Sequence, residues 1–225
     1  GVLKDGELGV EDPRIVKIGN KYIMTYVALS RDGNISTSLA ESTDALVWER
    51  KGIIFQEQNK DVVLFPEKIN GKYCAFNRPE GNFEFSQPNI SLVKSRDLKY
   101  WGEPVEMRLA KKNEWDYGRV GAGPPPLKTK KGWLLIYHGV IESKKRIKNP
   151  VLESSYQDDS NYITTATYSV GAALLDLKNP EKVIAKSKNP IIVPKKDYEK
   201  SPFENKRVVF PTGLVVDENG KDLLI

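Results

Sequence analysis

An internal repeat constrains the fold of this chain more than any other feature of its 225 residues. The segments SLAESTDALVWER at 38–50 and SLVKSRDLKYWGE at 91–103 agree at positions that lie 53 residues apart. The matched pairs are Ser38/Ser91, Leu39/Leu92, Ser42/Ser95, Asp44/Asp97 and Trp48/Trp101. A period near 50 residues is the size of one four-stranded blade of a β-propeller. The repeat therefore predicts successive blades, and blade packing is the expected role of the repeated tryptophans.

A second repeated element, a β-hairpin, lies upstream of each copy. One hairpin begins at Pro13 and the next at Pro66, again 53 residues apart, and weaker copies begin at Pro126 and Pro211. The strands are rich in Ile, Val, Tyr and Trp, and they show almost no sustained helical periodicity, so the chain is expected to be all-β. We expect about four blades, counting partial ones.

The last hairpin stops inside its second strand, in GKDLLI at 220–225. Closure of a propeller ring needs sequence beyond this point, because an open ring leaves sheet edges unpaired. We therefore expect an incompletely represented propeller and a chain that is part of a longer one.

Charge and cysteine content argue against several classes of protein. The 35 Lys and Arg against 30 Asp and Glu give a net charge of +5, and the lysines are spread along the chain, which argues against a nucleic-acid-binding protein. The densest basic run, ESKKRIKNP at 142–150, predicts a solvated loop insertion. Cys74 is the only cysteine, which excludes an intrachain disulfide and a two-cysteine metal site. No apolar run approaches the ~20 residues that span a bilayer, so no membrane association is expected, and the cytoplasm is the expected compartment.

Four segments of the chain resemble glycoside hydrolase family 130, the β-mannoside phosphorylases and related β-mannosidases. They are GVEDPRI at 9–15, KDVVLFPEKINGKY at 60–73 with NRP at 77–79, GAGPPPLKTKKGWLLIYHGV at 121–140, and YSVGAALLDLKNPEKV at 168–183. The resemblance implies a five-bladed β-propeller. Residues 1–225 are then expected to form a single β-propeller domain that lacks the first blade of the family and the end of the last.

Charged residues precede three of the four hairpins. Asp12 precedes the first, Lys60 and Asp61 precede the second, and Arg119 precedes the third. The inner strands of a propeller converge on a central channel, so equivalent positions of successive repeats are expected to meet there. One obvious carboxylate would then face several cations.

This imbalance indicates which nucleophile the site uses. Cleavage of a glycosidic bond needs a proton for the leaving oxygen and a nucleophile for the anomeric carbon, and ordinary glycosidases supply both through two carboxyl groups. Phosphate needs no general base because it is already anionic near neutral pH, but it has to be held by fixed positive charge and hydrogen-bond donors. Several cations beside one acid therefore favour phosphorolysis.

The resemblance also implies roles for individual residues. Asp12 matches the general acid of the family, which protonates the leaving oxygen through the mannosyl 3-hydroxyl, and burial is expected to raise its pKa. The positions that the resemblance assigns to phosphate binding are Lys60, Arg78, Arg119, His138 and Tyr168. Asp61 and Arg14 are expected to bind the sugar substrate.

The expected reaction is inverting phosphorolysis of β-mannosides to α-mannose 1-phosphate, with inorganic phosphate as co-substrate and no metal or organic cofactor. Two alternatives stay open, a β-mannosidase of the same family and a carbohydrate-binding propeller without turnover. The linkage, the acceptor sugar and the oligomeric state, including a homo-oligomer, are open as well. The GAGPPP run at 121–126 lacks the Gly-Lys-Ser/Thr ending of a phosphate loop, so no nucleotide site is expected, and its glycines are expected to let backbone approach the ligand.

Overall fold

The computed structural model describes residues 7–80, 88–146, 162–201, 205–220 and 222–225. Within these ranges the chain consists of β-strands and loops, and its one helical segment is a 3-10 turn at Asp197–Glu199. The predicted all-β class is therefore confirmed. No helix among these residues has the length and apolar character needed to cross a membrane.

The first sheet is an antiparallel meander of four strands in chain order. Its strands are β1 (Glu7–Ile18), β2 (Lys21–Ser30), β3 (Ile35–Ser42) and β4 (Glu49–Phe55). The β1–β2 turn lies at Gly19–Asn20, and Gly19 has a φ of 62°, which glycine adopts without steric cost. The hairpin is longer than the sequence predicts, because β1 already begins at Glu7, well before Pro13.

The second sheet repeats the meander. Its strands are β5 (Asn59–Leu64), β6 (Tyr73–Pro79), β7 (Ser91–Ser95) and β8 (Trp101–Glu106). The prediction that this hairpin starts at Pro66 is wrong: the paired strand ends at Leu64, and the residues after Pro66 contribute the isolated bridge between Ile69 and Lys72. Proline has no N–H to donate to a ladder, so pairing ends before it.

The third sheet is built around one long antiparallel pair, and a short hairpin follows it. Its strands are β9 (Arg119–Ala122) and β10 (Leu127–Lys128) along β11 (Trp133–Arg146), then β12 (Tyr162–Leu175), with β13 (Val183–Lys186) and β14 (Lys206–Val208) along β12. The hairpin consists of β15 (Val215–Val216) and β16 (Leu223–Leu224). Among the described residues, three sheets and this hairpin match the expected number of about four blades, counting partial ones.

The basic run at 142–150 is part strand, contrary to the prediction of a loop. Residues 142–146 continue β11 and pair with β12 in unbroken register. The prediction is wrong for these residues, because the strand extends past its apolar part. The remaining residues of the run, 147–150, lie outside the described ranges.

Apolar side chains pack between neighbouring sheets. One cluster joins the first two sheets through buried residues that include Val16, Leu39, Leu64 and Val93. A larger cluster joins the second and third sheets, where the Phe65 ring centroid lies 5.0 Å from that of Phe76 and 5.1 Å from that of Trp133. Trp101 packs against the cluster between the first two sheets, which confirms its predicted role in blade packing. Trp48 packs against buried residues of the first sheet alone, so its role between blades stays a prediction.

The repeated Ser-x-Asp motif builds the same turn in both blades. Ser42 Oγ and Asp44 Oδ1 accept backbone N–H groups of the turn between β3 and β4. Ser95 and Asp97 accept the equivalent groups between β7 and β8. Such local hydrogen bonds from backbone to side chain favour a turn over a continued strand. The need to form this turn in each blade explains why Ser and Asp recur 53 residues apart.

Two buried hydroxyl groups join the first sheet to β5. Thr25 Oγ1 donates to the carbonyl oxygen of Val62 at 2.6 Å, and Thr37 Oγ1 donates to that of Asn59 at 3.2 Å. Both acceptors lie within two residues of Asp61, so these bonds fix the segment of β5 that carries this carboxylate.

Candidate active site

Asp12 and Asp61 occupy equivalent β-bulges in the inner strands of two successive blades. In β1 and in β5, one extra residue interrupts the pairing with the next strand at the position of the aspartate. The φ angles are 53° for Asp12 and 55° for Asp61. This left-handed conformation is sterically strained for a residue other than glycine, although Asp tolerates it better than most. Bulges of this kind often redirect a side chain beside a functional site.

A cavity of about 250 Å³ lies beside the two bulges. It is lined by seven of the eight residues that the sequence singles out: Asp12, Lys60, Asp61, Arg78, Arg119, His138 and Tyr168. The other lining residues, which the sequence reasoning missed, are Ile35, Gln58, Glu80 and Phe210. Residues from all three complete sheets therefore converge on one space, as the propeller reasoning predicts.

Asp61 lies at the centre of a buried charge network. Its Oδ2 is 3.2 Å from Arg78 Nε and 3.5 Å from His138 Nε2, and its Oδ1 is 4.0 Å from a terminal nitrogen of Arg14. Burial raises the pKa of Asp61, while Arg78 and Arg14 act in the opposite direction. The carboxylate thus holds two arginines and one histidine at fixed positions on the cavity wall.

Arg14 is the one predicted site residue that does not line the cavity. Only 2% of its surface is exposed. Its Nε donates to the carbonyl oxygen of Gly123 at 3.0 Å, and its guanidinium carbon lies 5.6 Å from the ring centroid of Phe210. This burial does not support direct sugar contact by Arg14, which instead contacts the carboxylate of Asp61.

Gly121 makes room for the contact between Asp61 and His138. Gly121 on β9 stands directly opposite His138 on β11. A Cβ at Gly121 would lie 2.6 Å from His138 Nε2 and closer still to Asp61 Oδ2. The first part of the GAGPPP run is therefore glycine because the side chains of Asp61 and His138 meet there, a reason different from the expected approach of backbone to a ligand.

His138 is fully buried and uncharged at neutral pH. Burial lowers its pKa well below the ordinary value, and the nearby positive charges of Arg78, Arg14 and Arg119 lower it further. Its ring centroid lies 4.3 Å from that of Phe210. A neutral imidazole offers one N–H donor and one acceptor, so His138 can contribute a hydrogen bond to a ligand but no fixed charge.

Each of the three cations assigned to phosphate is paired with a glutamate. The pairs are Lys60 Nζ with Glu11 Oε1 at 3.1 Å, Arg78 with Glu80 Oε1 at 2.5 Å, and Arg119 with Glu142 Oε1 at 3.0 Å. The expectation of a single carboxylate facing several cations is therefore wrong. The cavity and its rim bring together both signs of charge in similar numbers. Glu142 lies on the strand that pairs with that of Arg119, Glu80 follows Arg78 by two residues, and Glu11 reaches Lys60 from the neighbouring sheet.

The carboxyl group of Asp12 is partly buried. Burial is the largest influence on its pKa and raises it; Arg14 and Lys60 oppose this, whereas Glu11 and Asp61 add to it. The predicted direction of the shift is confirmed. A raised pKa increases the share of the acid form, as a proton donor requires.

Several buried polar atoms around the cavity have no hydrogen-bond partner among the described residues. They are a terminal nitrogen of Arg14, Asp61 Oδ2, Arg78 Nε, Glu80 Oε1 and both ring nitrogens of His138. The charged groups among them take part in ion pairs, but the geometry of these contacts does not meet the requirements of a hydrogen bond. Buried polar groups are normally satisfied, so this concentration indicates a site for a polar ligand. Within the described ranges, no group of three or more His, Cys, Asp or Glu is arranged to hold a metal ion.

The chain matches known proteins over almost its whole length. The model of glycoside hydrolase family 130, described as β-1,4-mannooligosaccharide phosphorylase, matches residues 3–225. The chain is 40% identical to 1,2-β-oligomannan phosphorylase of Thermoanaerobacter sp. (strain X514) over 94% of its own length, and 37% identical to β-1,2-mannobiose phosphorylase of Listeria innocua over 92%. It covers 62% and 51% of these two proteins, so it spans about half to three fifths of the length of the curated relatives.

Solved structures show the same fold. The complex of the Listeria innocua β-1,2-mannobiose phosphorylase with β-1,2-mannobiose superposes with a TM-score of 0.75 at 36% identity, over 94% of this chain and 53% of that one. A family 130 glycoside hydrolase superposes with a TM-score of 0.74 at 22% identity, over 97% of this chain and 63% of that one, and shows the fold alone. The sheets described above are thus consecutive blades of an incompletely represented β-propeller.

Proposed function

Because this chain belongs to glycoside hydrolase family 130, we propose that the protein cleaves β-mannosides by phosphorolysis. The observation that carries the proposal is the one cavity that holds Asp12 together with Lys60, Arg78 and Arg119. An acid with a raised pKa can retain a proton for the leaving oxygen, and fixed cations can hold phosphate against the sugar. The relatives named above as mannoside phosphorylases support the same class of reaction.

In the proposed reaction the mannosyl ring lies between Asp12 and the cations. Asp12 gives its proton to the glycosidic oxygen, through the mannosyl 3-hydroxyl as the family resemblance implies, while the bond from that oxygen to C1 breaks. A phosphate oxygen attacks C1 from the opposite face, so the products are α-mannose 1-phosphate and the released acceptor. Fixing both reactants in one cavity removes much of the entropic cost of their encounter.

The remaining residues hold these groups in place. We propose that His138 and Tyr168 donate hydrogen bonds to the anion and that Asp61 contacts sugar hydroxyls, as the resemblance implies. For Arg14 we propose a positioning role, because it is buried against Asp61. Inorganic phosphate is the only co-substrate in this proposal, with no metal or organic cofactor; the cytoplasmic location and a single propeller domain over residues 1–225 also stay predictions.

A hydrolytic β-mannosidase is the second candidate, because the cavity also contains the carboxylates of Asp61 and Glu80. In a hydrolase one of them would have to activate water. Both lie within ion-pair distance of Arg78, at 3.2 and 2.5 Å. Both carboxylates are thus engaged by a guanidinium of the protein, which leaves their oxygens less available to a water molecule, so this geometry supports phosphate as the attacking group.

For the linkage we propose β-1,2. The relatives at 37–40% identity are named for β-1,2-linked substrates, whereas the Ruminococcus albus relative named for β-1,4-mannooligosaccharides is 30% identical. This support comes from similarity to those proteins.

The experiment incubates the purified protein with β-1,2-mannobiose or β-1,4-mannobiose, with and without phosphate, and identifies the products. The proposal predicts mannose 1-phosphate that forms only with phosphate, and faster turnover of the β-1,2 disaccharide. Free mannose at equal rates in both buffers would identify a hydrolase. Binding of either disaccharide without any product would identify a carbohydrate-binding protein.

A further inference from the structure

The three glutamate–cation pairs of the site differ in their exposure to solvent. The side chains of Lys60 and Arg119 are 27% and 26% exposed, and their partners Glu11 and Glu142 are 57% and 41% exposed. The third pair is different: the side chain of Arg78 is 6% exposed, and this arginine contacts Asp61 in addition to its glutamate. The site therefore has one inner pair and two rim pairs.

This difference decides which pairs an anion can exchange. Solvent-exposed ion pairs contribute little to stability, because water screens the attraction and both side chains lose freedom. Breaking a buried pair is costly, since it leaves an uncompensated charge in a poorly solvated place. An anion that enters the cavity can therefore take over the two rim cations, whereas Arg78 keeps its carboxylates.

The positions of their strands hold the rim glutamates next to their cations. Arg119 on β9 pairs with Val140 on β11, and Glu142 follows two residues later on the same strand, so its side chain points to the same face of the sheet. Glu11 immediately precedes the bulge of Asp12 in β1. Strand register thus places Glu142 beside Arg119, whereas Glu11 reaches Lys60 across the interface between the first two sheets.

We propose that Glu11 and Glu142 are the resident counter-ions of the anion site, and that incoming phosphate replaces them on Lys60 and Arg119. This inference rests on the proposed function, because it specifies how the phosphate site is loaded. Each rim glutamate competes with phosphate for its cation and thereby weakens phosphate binding. Arg78, whose charge two carboxylates already compensate, supplies directed N–H groups and little net charge.

The test neutralises Glu142 and measures the KM for phosphate and the KM for the mannoside. Glu142→Gln is expected to lower the KM for phosphate about twofold to fivefold, the range that the strength of an exposed ion pair allows, and to leave the KM for the mannoside unchanged. Glu11→Gln is a second variant that is expected to shift the phosphate KM in the same direction. Glu49→Gln is the matched control, because Glu49 makes an exposed pair with Lys51 at 2.7 Å on the outer strand of the first blade, and it should change neither KM.

A double-mutant cycle shows whether Glu142 acts through Arg119. In an Arg119→Gln background the effect of Glu142→Gln is expected to disappear. An effect that persists there would overturn the inference, because it would show a long-range field instead of competition for one cation. A raised phosphate KM in Glu142→Gln would also overturn it, since Glu142 would then help to orient the arginine.

Different results would refute the counter-ion inference and the proposed function. If the wild-type rate saturates with phosphate but neither glutamate variant shifts the phosphate KM, the counter-ion inference is wrong and the proposed function stands. If the wild-type protein turns over mannosides without any dependence on phosphate, the proposed function and the inference are both wrong.

Discussion

Replacement of Gly121 by alanine tests whether the contact between Asp61 and His138 is essential to the site. The added Cβ would lie 2.6 Å from His138 Nε2, about 0.8 Å short of the 3.4 Å at which ordinary contact begins, and still closer to Asp61 Oδ2. Neither side chain can retreat freely, because the side chains are 1% and 2% exposed and Asp61 is tied to Arg78. The strain therefore has to be absorbed by displacement of the site.

The size of the effect follows from the overlap. Overpacking of a closely packed interior costs about 1–3 kcal/mol, and we expect the free energy of unfolding of Gly121→Ala to fall by that amount. A displacement near 1 Å in a reacting site reduces rates by up to about 100-fold, and we expect a loss of about 10- to 100-fold in kcat/KM. The loss in kcat/KM should be larger than the decrease in the fraction of folded protein accounts for.

The assays are denaturant unfolding and steady-state phosphorolysis of β-1,2-mannobiose. Gly102→Ala is the control, since this strand glycine has no atom within 4 Å of an added Cβ. It should keep wild-type stability and wild-type rates. If Gly121→Ala unfolded at the same denaturant concentration as the wild type and kept kcat/KM within about twofold, the buried contact would not organise the site, and the reasoning would fail.

Three further predictions address the acid, the anion site and the blade interface. Asp12→Asn keeps the left-handed backbone but removes the proton donor, so turnover should be abolished while phosphate still binds in a titration. Burial raises the pKa of Asp12, so the folded protein binds the proton of this carboxyl group more tightly than the unfolded chain does. The free energy of unfolding of the wild type should therefore fall as the pH rises from about 3.8, the ordinary pKa, through the raised pKa. Asp12→Asn should be the more stable protein at pH 7 and should lose this advantage in acid. Arg119→Ala should raise the KM for phosphate with less effect on the KM for the mannoside, and unchanged phosphate saturation would contradict its assignment. Thr25→Val leaves the buried carbonyl of Val62 without its donor and should lower the free energy of unfolding by about 1–3 kcal/mol in denaturant melts, whereas the exposed Thr43→Val should not.

The blades and their turns were predictable because the information is local. The Ser-x-Asp motif forms its turn through bonds to backbone groups within three residues, so the same letters produce the same structure at 42–44 and at 95–97. The hairpin turn at Gly19–Asn20 is local in the same way. The convergence of Asp12 and Arg119 on one cavity followed from the propeller architecture.

The charge balance of the site was not predictable, because it depends on strand register and on contacts between neighbouring sheets. Glu142 becomes a neighbour of Arg119 only when β11 extends beyond its apolar part, and the basic residues around Glu142 are typical of a solvated loop. The left-handed bulges at Asp12 and Asp61 were not predictable either, because neither position carries the glycine that this backbone conformation favours. The pairing of β1 and β5 with their neighbouring strands imposes this conformation, and the sequence alone shows only an aspartate within each strand.

The most direct test of the central claim is a crystal structure of the protein with phosphate and a β-mannoside bound. The account predicts the anion within hydrogen-bond distance of Lys60 and Arg119, and the mannosyl C1 between that anion and Asp12. A phosphate bound outside this cavity, or a sugar whose C1 lies away from the line between Asp12 and the anion, would contradict it.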